Sequence, residues 1–198
     1  MNHRRLVLID VETTGGSSSR ARITEIGGLR VEHGQVVATY RQLLNPETPI
    51  PRFITKLTGI SNEMAWQAPL FSAVAEELEQ FLTGAIFVAH HVAFDYGFIK
   101  AEFKRVGINY GSDRLCSVRL SRLMHPEQGR HGLDKIIARL GLSVAHRHRA
   151  FDDAEVIWKF IEDELLQNEI KLFMALDKVM VHSRRPQTPE LVHNPRLC

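Results

Sequence analysis

The apolar run Leu6-Val7-Leu8-Ile9 leads into Asp10-Val11-Glu12-Thr13-Thr14-Gly15, placing two carboxylates one residue apart where a buried stretch ends. In an extended strand residues i and i+2 leave the same face, so Asp10 and Glu12 aim at a common point. Two like charges set together there demand a cation, and carboxylate oxygens are hard ligands suited to Mg²⁺ or Mn²⁺. The carboxyl end of a strand is also where open α/β sheets place their ligands. Taken alone, the hexapeptide fits as well with a strand that simply ends in acidic, turn-forming residues.

Further acids fall at comparable places. Asp95 follows the compact apolar run Ala85-Ile86-Phe87-Val88-Ala89 and the segment His90-His91-Val92-Ala93-Phe94, at a second strand-to-helix junction. Asp153 precedes the stripe Ala154, Ile157, Trp158, Ile161 and Leu165, which has helical spacing and puts Asp153 in a first helical turn. An acid there is also favoured by the helix dipole, and Asp152 keeps that plainer reading. Asp10, Glu12, Asp95 and Asp153 make a four-carboxylate set, enough for the pair of divalent ions that clamps attacking and leaving oxygens in phosphoryl transfer. His148 lies five residues before Asp153; on a helix the two would diverge, so His148 belongs on the preceding loop, where an imidazole can act as general base.

The elements that must position these groups follow from periodicity and punctuation. Leu6 to Ile9 reads as a buried strand, and Ile23 to Val31 and Gln35 to Leu44 as a hairpin turning at Glu32-His33-Gly34. Residues 45–51 read as a loop. Phe71, Val74, Leu78, Phe81 and Leu82 mark a helix ended by Gly84; Phe98, Ile99, Phe103 and Val106 mark a second ended by Gly107. Leu133, Ile136, Ile137 and Leu140 mark a third, closed by Gly141. Beyond about Val181, Pro186, Pro189 and Pro195 interrupt a stretch without apolar period, which reads as a linker or loose end.

A chain of 198 residues, 44% hydrophobic and 24% charged, suits one soluble globular core. No apolar run approaches the roughly 18 residues of a spanning helix, and the basic start precedes only four apolar residues, too few for a signal peptide. With two cysteines, Cys116 and Cys198, neither a disulfide framework nor a metal cluster is expected, and a cytoplasmic location is. The net charge of +2 conceals an uneven distribution: Arg114 to Arg149 holds eight Lys or Arg against Glu127 and Asp134. A basic segment beside an acidic centre suits an enzyme acting on a polyphosphate chain, although a solvated basic face has the same composition.

The segments Asp10-Val11-Glu12-Thr13-Thr14-Gly15, His90-His91-Val92-Ala93-Phe94-Asp95 and His148-Arg149-Ala150-Phe151-Asp152-Asp153, in this order, resemble the three motifs of the DEDDh branch of DnaQ-like 3′-to-5′ exonucleases, the group of the epsilon proofreading subunit of bacterial DNA polymerase III. Ile23-Thr24-Glu25-Ile26-Gly27 and Leu57-Thr58-Gly59-Ile60 join the resemblance, which runs from about Leu6 to Leu166. It implies an α/β RNase H-like fold with a mixed five-stranded β-sheet flanked by α-helices, spanning residues 1–168, and a C-terminal helical extension and tail over 169–198. It implies that Asp10, Glu12, Asp95 and Asp153 hold two Mg²⁺ or Mn²⁺ ions with His148 as general base, and that nucleoside 5′-monophosphates are released from a single-stranded DNA 3′ end in proofreading or repair. Thr13, Thr14, Gly15, Gly59, Ile60 and Phe94 are expected at the terminal nucleotide, and DNA polymerase III or another replication or repair protein as partner. RNA or short oligonucleotides as substrate, or a non-catalytic nucleic-acid or polymerase-binding module, are the alternatives. One departure stands out: His91 occupies a position where the family usually has Asn, which predicts altered substrate handling with hydrolysis kept.

Overall fold

The computed structural model describes residues 4–183; the expectations for Cys198 and for the proline-containing tail lie outside them. Five strands form one sheet in the order β3-β2-β1-β4-β5, with β1 at Leu6–Thr13, β2 at Ile23–Glu32, β3 at Gln35–Leu43, β4 at Ile86–Ala89 and β5 at Arg114–Cys116. β1, β2 and β3 are antiparallel neighbours, while β1–β4 and β4–β5 are parallel, so the sheet is mixed as expected. The hairpin turns at His33 and Gly34 with φ 53° and 77°, the two left-handed residues of a turn whose twist matches that of the strands.

Seven helices complete the described residues: α1 Arg52–Thr58, α2 Asn62–Trp66, α3 Phe71–Leu82, α4 Ala93–Arg105, α5 Ser117–Met124, α6 Leu133–Leu140 and α7 Ala150–Val179. Strand alternation sorts β1 between two cores. Val7, Ile9 and Val11 face α3 and α4 through Val74, Leu78, Phe98 and Phe103; Leu6 and Leu8 face α5 and α7 through Leu120, Phe151, Ile157 and Ile161. Asp10 and Glu12 continue the second face beyond the last buried leucine, so both project toward α7. That helix breaks its helical geometry at Asn168 (φ −141°, ψ 41°), and beyond the break Leu172, Leu176 and Val179 are buried in the same core as Leu6 and Leu8. No described helix is long and apolar enough to cross a membrane.

The sequence reading stops β1 at Ile9, whereas the strand continues to Thr13 with an irregularity between Glu12 and Thr13. Pairing to β2 carries it on: Asp10 lies opposite Gly27 and Glu12 opposite Glu25, so the carboxylates sit on a hydrogen-bonded ladder.

Candidate active site

Three elements converge on the far end of β1. Asp95, in the first turn of α4, is buried and accepts a 3.2 Å hydrogen bond from the Val11 backbone N–H at Oδ1. That N–H is available because the pairing of β4 with β1 ends at Leu8–Val88. From the opposite face Asp153, in the first turn of α7, comes down beside Glu12 and His148, and ligand-capable atoms of these three lie within 4.8 Å of one another. His148 sits on the loop before α7, as its offset from Asp153 predicts, in a left-handed conformation with φ 61°.

A glycine allows α7 to come this close. A Cβ on Gly27, the ladder partner of Asp10, would stand 2.0 Å from the Phe151 nitrogen and 2.2 Å from the Ala150 carbonyl carbon. Only a residue without a side chain lets the helix start rest on β2, one turn short of Asp153. Glu25, two residues earlier, fixes the same helix start. Its carboxylate accepts from the Ala150 N–H at 3.0 Å and from the Arg149 guanidinium through Nε and Nη2 at 3.0 and 2.6 Å. The carboxylate thereby satisfies an orphan donor at the helix N-terminus, which Arg149 as the residue before the helix leaves without a side-chain cap.

The four acids strain against one another. Burial, and then Asp95, Asp153 and Glu12, hold the Asp10 carboxyl well above the usual range, with Arg147 pulling the other way. Burial, reinforced by Asp153, Glu25 and Asp95, pushes Glu12 up to about 8. Asp95 is pushed up to about 8 by burial, against the Val11 hydrogen bond. Burial raises Asp153 as well, while hydrogen bonding to Arg147 opposes it. Such a cluster holds protons that a multivalent cation would displace, and its all-carboxylate donors with one imidazole nearby fit Mg²⁺ or Mn²⁺.

Arg147 joins this set from outside the sequence reading. Its guanidinium hydrogen-bonds Asp153 through Nη1 and Asp134, on α6, through Nε at 2.7 Å, which pins the loop carrying His148. Glu102, buried on α4, is the other unexpected anchor: it binds Arg22 Nε at 2.8 Å and Arg105 at 2.9 Å. Arg22 in turn receives the Thr14 N–H at its carbonyl and donates its own N–H to Thr14 Oγ1, fixing the Thr13-Thr14-Gly15 turn, where Thr13 Oγ1 donates to the Gly15 carbonyl at 2.8 Å. Glu25 lies between Ile23 and Ile26, and Glu102 lies on the helix face of Phe98, Ile99 and Phe103, but the arginines that tie them to other elements, Arg149 and Arg22, are distant in sequence.

The remaining expected site residues lie on two other segments. Gly59 ends α1 in the left-handed region (φ 74°) and is exposed. Phe94 lies on α4, partly exposed, its ring 4.8 Å from that of Phe98. Ile60, next to Gly59, is buried and packs with Ile50 and Ala65, and Thr13 and Thr14 are buried as well. His91 has φ 64°, a left-handed position for which Asn, Asp and His are the enriched non-glycine residues, and the exchange of Asn for His keeps that backbone.

Residues 7–161 match the model of a protein family described as exonuclease. The 3′-5′ exonuclease DinG of Bacillus subtilis is 42% identical over 158 residues, covering 79% of this chain and 17% of that protein. A PolC-type DNA polymerase III of Caldanaerobacter subterraneus is 35% identical over 179 residues, covering 88% of this chain and 13% of the polymerase. The chain thus spans less than a fifth of the length of these relatives. Among solved structures, exonuclease X in complex with 5′ overhanging duplex DNA superposes with a TM-score of 0.68 at 22% identity, covering 87% of this chain and 98% of that one, a likeness of fold.

Proposed function

Since the chain belongs to the exonuclease family, we propose that its acidic centre hydrolyses the terminal phosphodiester of a single-stranded DNA from the 3′ end and releases nucleoside 5′-monophosphates. The observation that carries this reading is the convergence of β1, α4 and α7: ligand-capable atoms of Glu12, Asp153 and His148 lie within 4.8 Å of one another, and the neighbouring Asp10 carboxyl feels the charges of Asp95, Asp153 and Glu12. The four carboxylates would hold two divalent cations, which when bound supply charge neutralisation at the transferring phosphorus.

His148 takes the proton of the attacking water from its loop position, and Arg147 limits where that loop can go. The water oxygen bonds to phosphorus as the bond from phosphorus to the 3′ oxygen breaks; the strand keeps that oxygen and gains a proton from solvent. Thr13, Thr14 and Gly15, held by Arg22 and Glu102, form one wall for the last nucleotide; Gly59 and Phe94 form others. The DinG and PolC resemblance supports a role in repair or proofreading, with a replication or repair protein as partner, in the cytoplasm.

The test uses 5′-labelled single-stranded DNA, duplex, mismatched primer-template and RNA with Mg²⁺, Mn²⁺ or EDTA. A ladder shortening from the 3′ end on single-stranded DNA, lost in EDTA and in Asp10→Ala, is expected. Binding without shortening under every metal contradicts the proposal.

A further inference from the structure

We propose a second anion site, a groove at the β5 edge that grips the phosphodiester backbone of the substrate strand upstream of the terminal nucleotide; this rests on the exonuclease reading above. The groove encloses about 350 Å³, and its polar lining is His91, Arg114, Arg119 and Arg122, over a floor that includes Val118 and Val179. No carboxylate lines it. Among the described residues Arg114, Arg119 and Arg122 have no ion pair, although most other arginines near the centre are spent: Arg22 on Glu102, Arg147 on Asp153 and Asp134, Arg149 on Glu25.

Its construction is specific. Arg119 and Arg122, three apart on α5, share one helix face and are both exposed. Arg114 is half-buried, its guanidinium carbon 4.6 Å from the centre of the Tyr96 ring, and its Nε is buried with no hydrogen-bond partner. One ring-stacked and two exposed cations over an apolar floor match the two chemistries of a single strand, phosphates outward and base faces inward.

The site also lies in the right place. β5 pairs in parallel with β4 (Ala89 opposite Cys116), and β4 in parallel with β1, so the part of the groove lined by Cys116 and His91 lies toward the same rim of the sheet as Asp10 and Glu12, while Arg114, opposite Phe87, lies lower along the edge. Two interstrand spacings separate β5 from β1, about 10 Å. His91 links the two sites, since it lines the groove four residues before Asp95, and this gives its exchange for Asn a contact at which to act.

The test is fluorescence anisotropy in EDTA, so that binding is read without hydrolysis, using the full chain with 12-nucleotide and trinucleotide strands of both DNA and RNA. Arg119→Gln/Arg122→Gln is expected to raise Kd for the 12-mers about tenfold at low salt and to make the slope of log K against log salt shallower by about 1.4, two phosphate contacts at roughly 0.7 each. Arg119→Lys/Arg122→Lys restores most of the affinity, and the deficit is confined to strands long enough to reach the groove. Wild-type Kd and salt slope in the Gln variant overturn the proposal, as does a loss equally large in the Lys variant or one restricted to DNA or to RNA. Because no cleavage is scored, a protein that fails the ladder assay can still pass this one, and the reverse.

Discussion

Burial and mutual repulsion decide what the carboxylates do at the residue scale. Their raised pKa values mean that the metal-free folded protein binds more protons than the unfolded chain between the ordinary carboxylate range and about pH 8, so stability falls as pH rises through that window. The melting temperature in EDTA is expected to decrease from pH 5 to pH 8.5, with a shallower fall in Asp10→Asn and in excess Mg²⁺; a flat or rising profile in EDTA contradicts the cluster. His148→Gln is expected to lower kcat by about 10²- to 10⁴-fold with a small change in KM, the pattern of a lost general base. An equal change in KM alone would make His148 a binding residue. The placement of Asp10 and Glu12 on one face of β1, of Asp95 and Asp153 in first helical turns and of His148 on the loop before α7 is legible because strand alternation and helix starts act locally. That of Arg147 is not, since nothing in the sequence tells which of many arginines will meet an acid from another turn.

At the element scale the position of α7 depends on β2. Gly27→Ala forces a Cβ into the Phe151 backbone, which cannot rotate away, while at Gly28 the nearest atom is the Ile9 Cδ1 at 2.6 Å, the end of a flexible side chain. Gly27→Ala is therefore expected to cost about 3 kcal/mol or more and to displace Asp153, lowering kcat; Gly28→Ala costs about 1 kcal/mol. Thermal unfolding and steady-state rates check both, and equal effects would refute the close-approach argument. The longer helices and the hairpin could be read from apolar spacing, and Gly84, Gly107 and Gly141, all with positive φ, mark the expected ends. β5 has three residues, α1 and α2 seven and five, and each is too short to display a period; α5 has only eight, and its arginines interrupt the apolar spacing. The kink at Asn168 has no proline or glycine to announce it.

For the whole molecule, a domain ending at residue 168 is expected from the extent of the motif resemblance. Leu172, Leu176 and Val179 are nevertheless at most 2% exposed and share a core with Leu6 and Leu8. Truncation after residue 168 removes three large core side chains and is expected to cost more than about 5 kcal/mol, a fall of at least roughly 10 °C in Tm. A truncated chain as stable as the full one would support a boundary at residue 168. Charge follows the same large-scale division: acids gather where β1, α4 and α7 meet, and unpaired arginines flank them at β5 and α5.

The central claim is that acids from three separate elements act as one hydrolytic unit. The most direct measurement is the rate of release of a labelled 3′-terminal nucleotide from single-stranded DNA in saturating Mg²⁺ by the wild type, Asp10→Asn, Asp153→Asn and the double variant. If the acids form one unit, each single substitution lowers the rate by about 10³-fold or more and the double variant is little worse than either. Single variants within tenfold of wild type, or losses that multiply in the double variant, would contradict it.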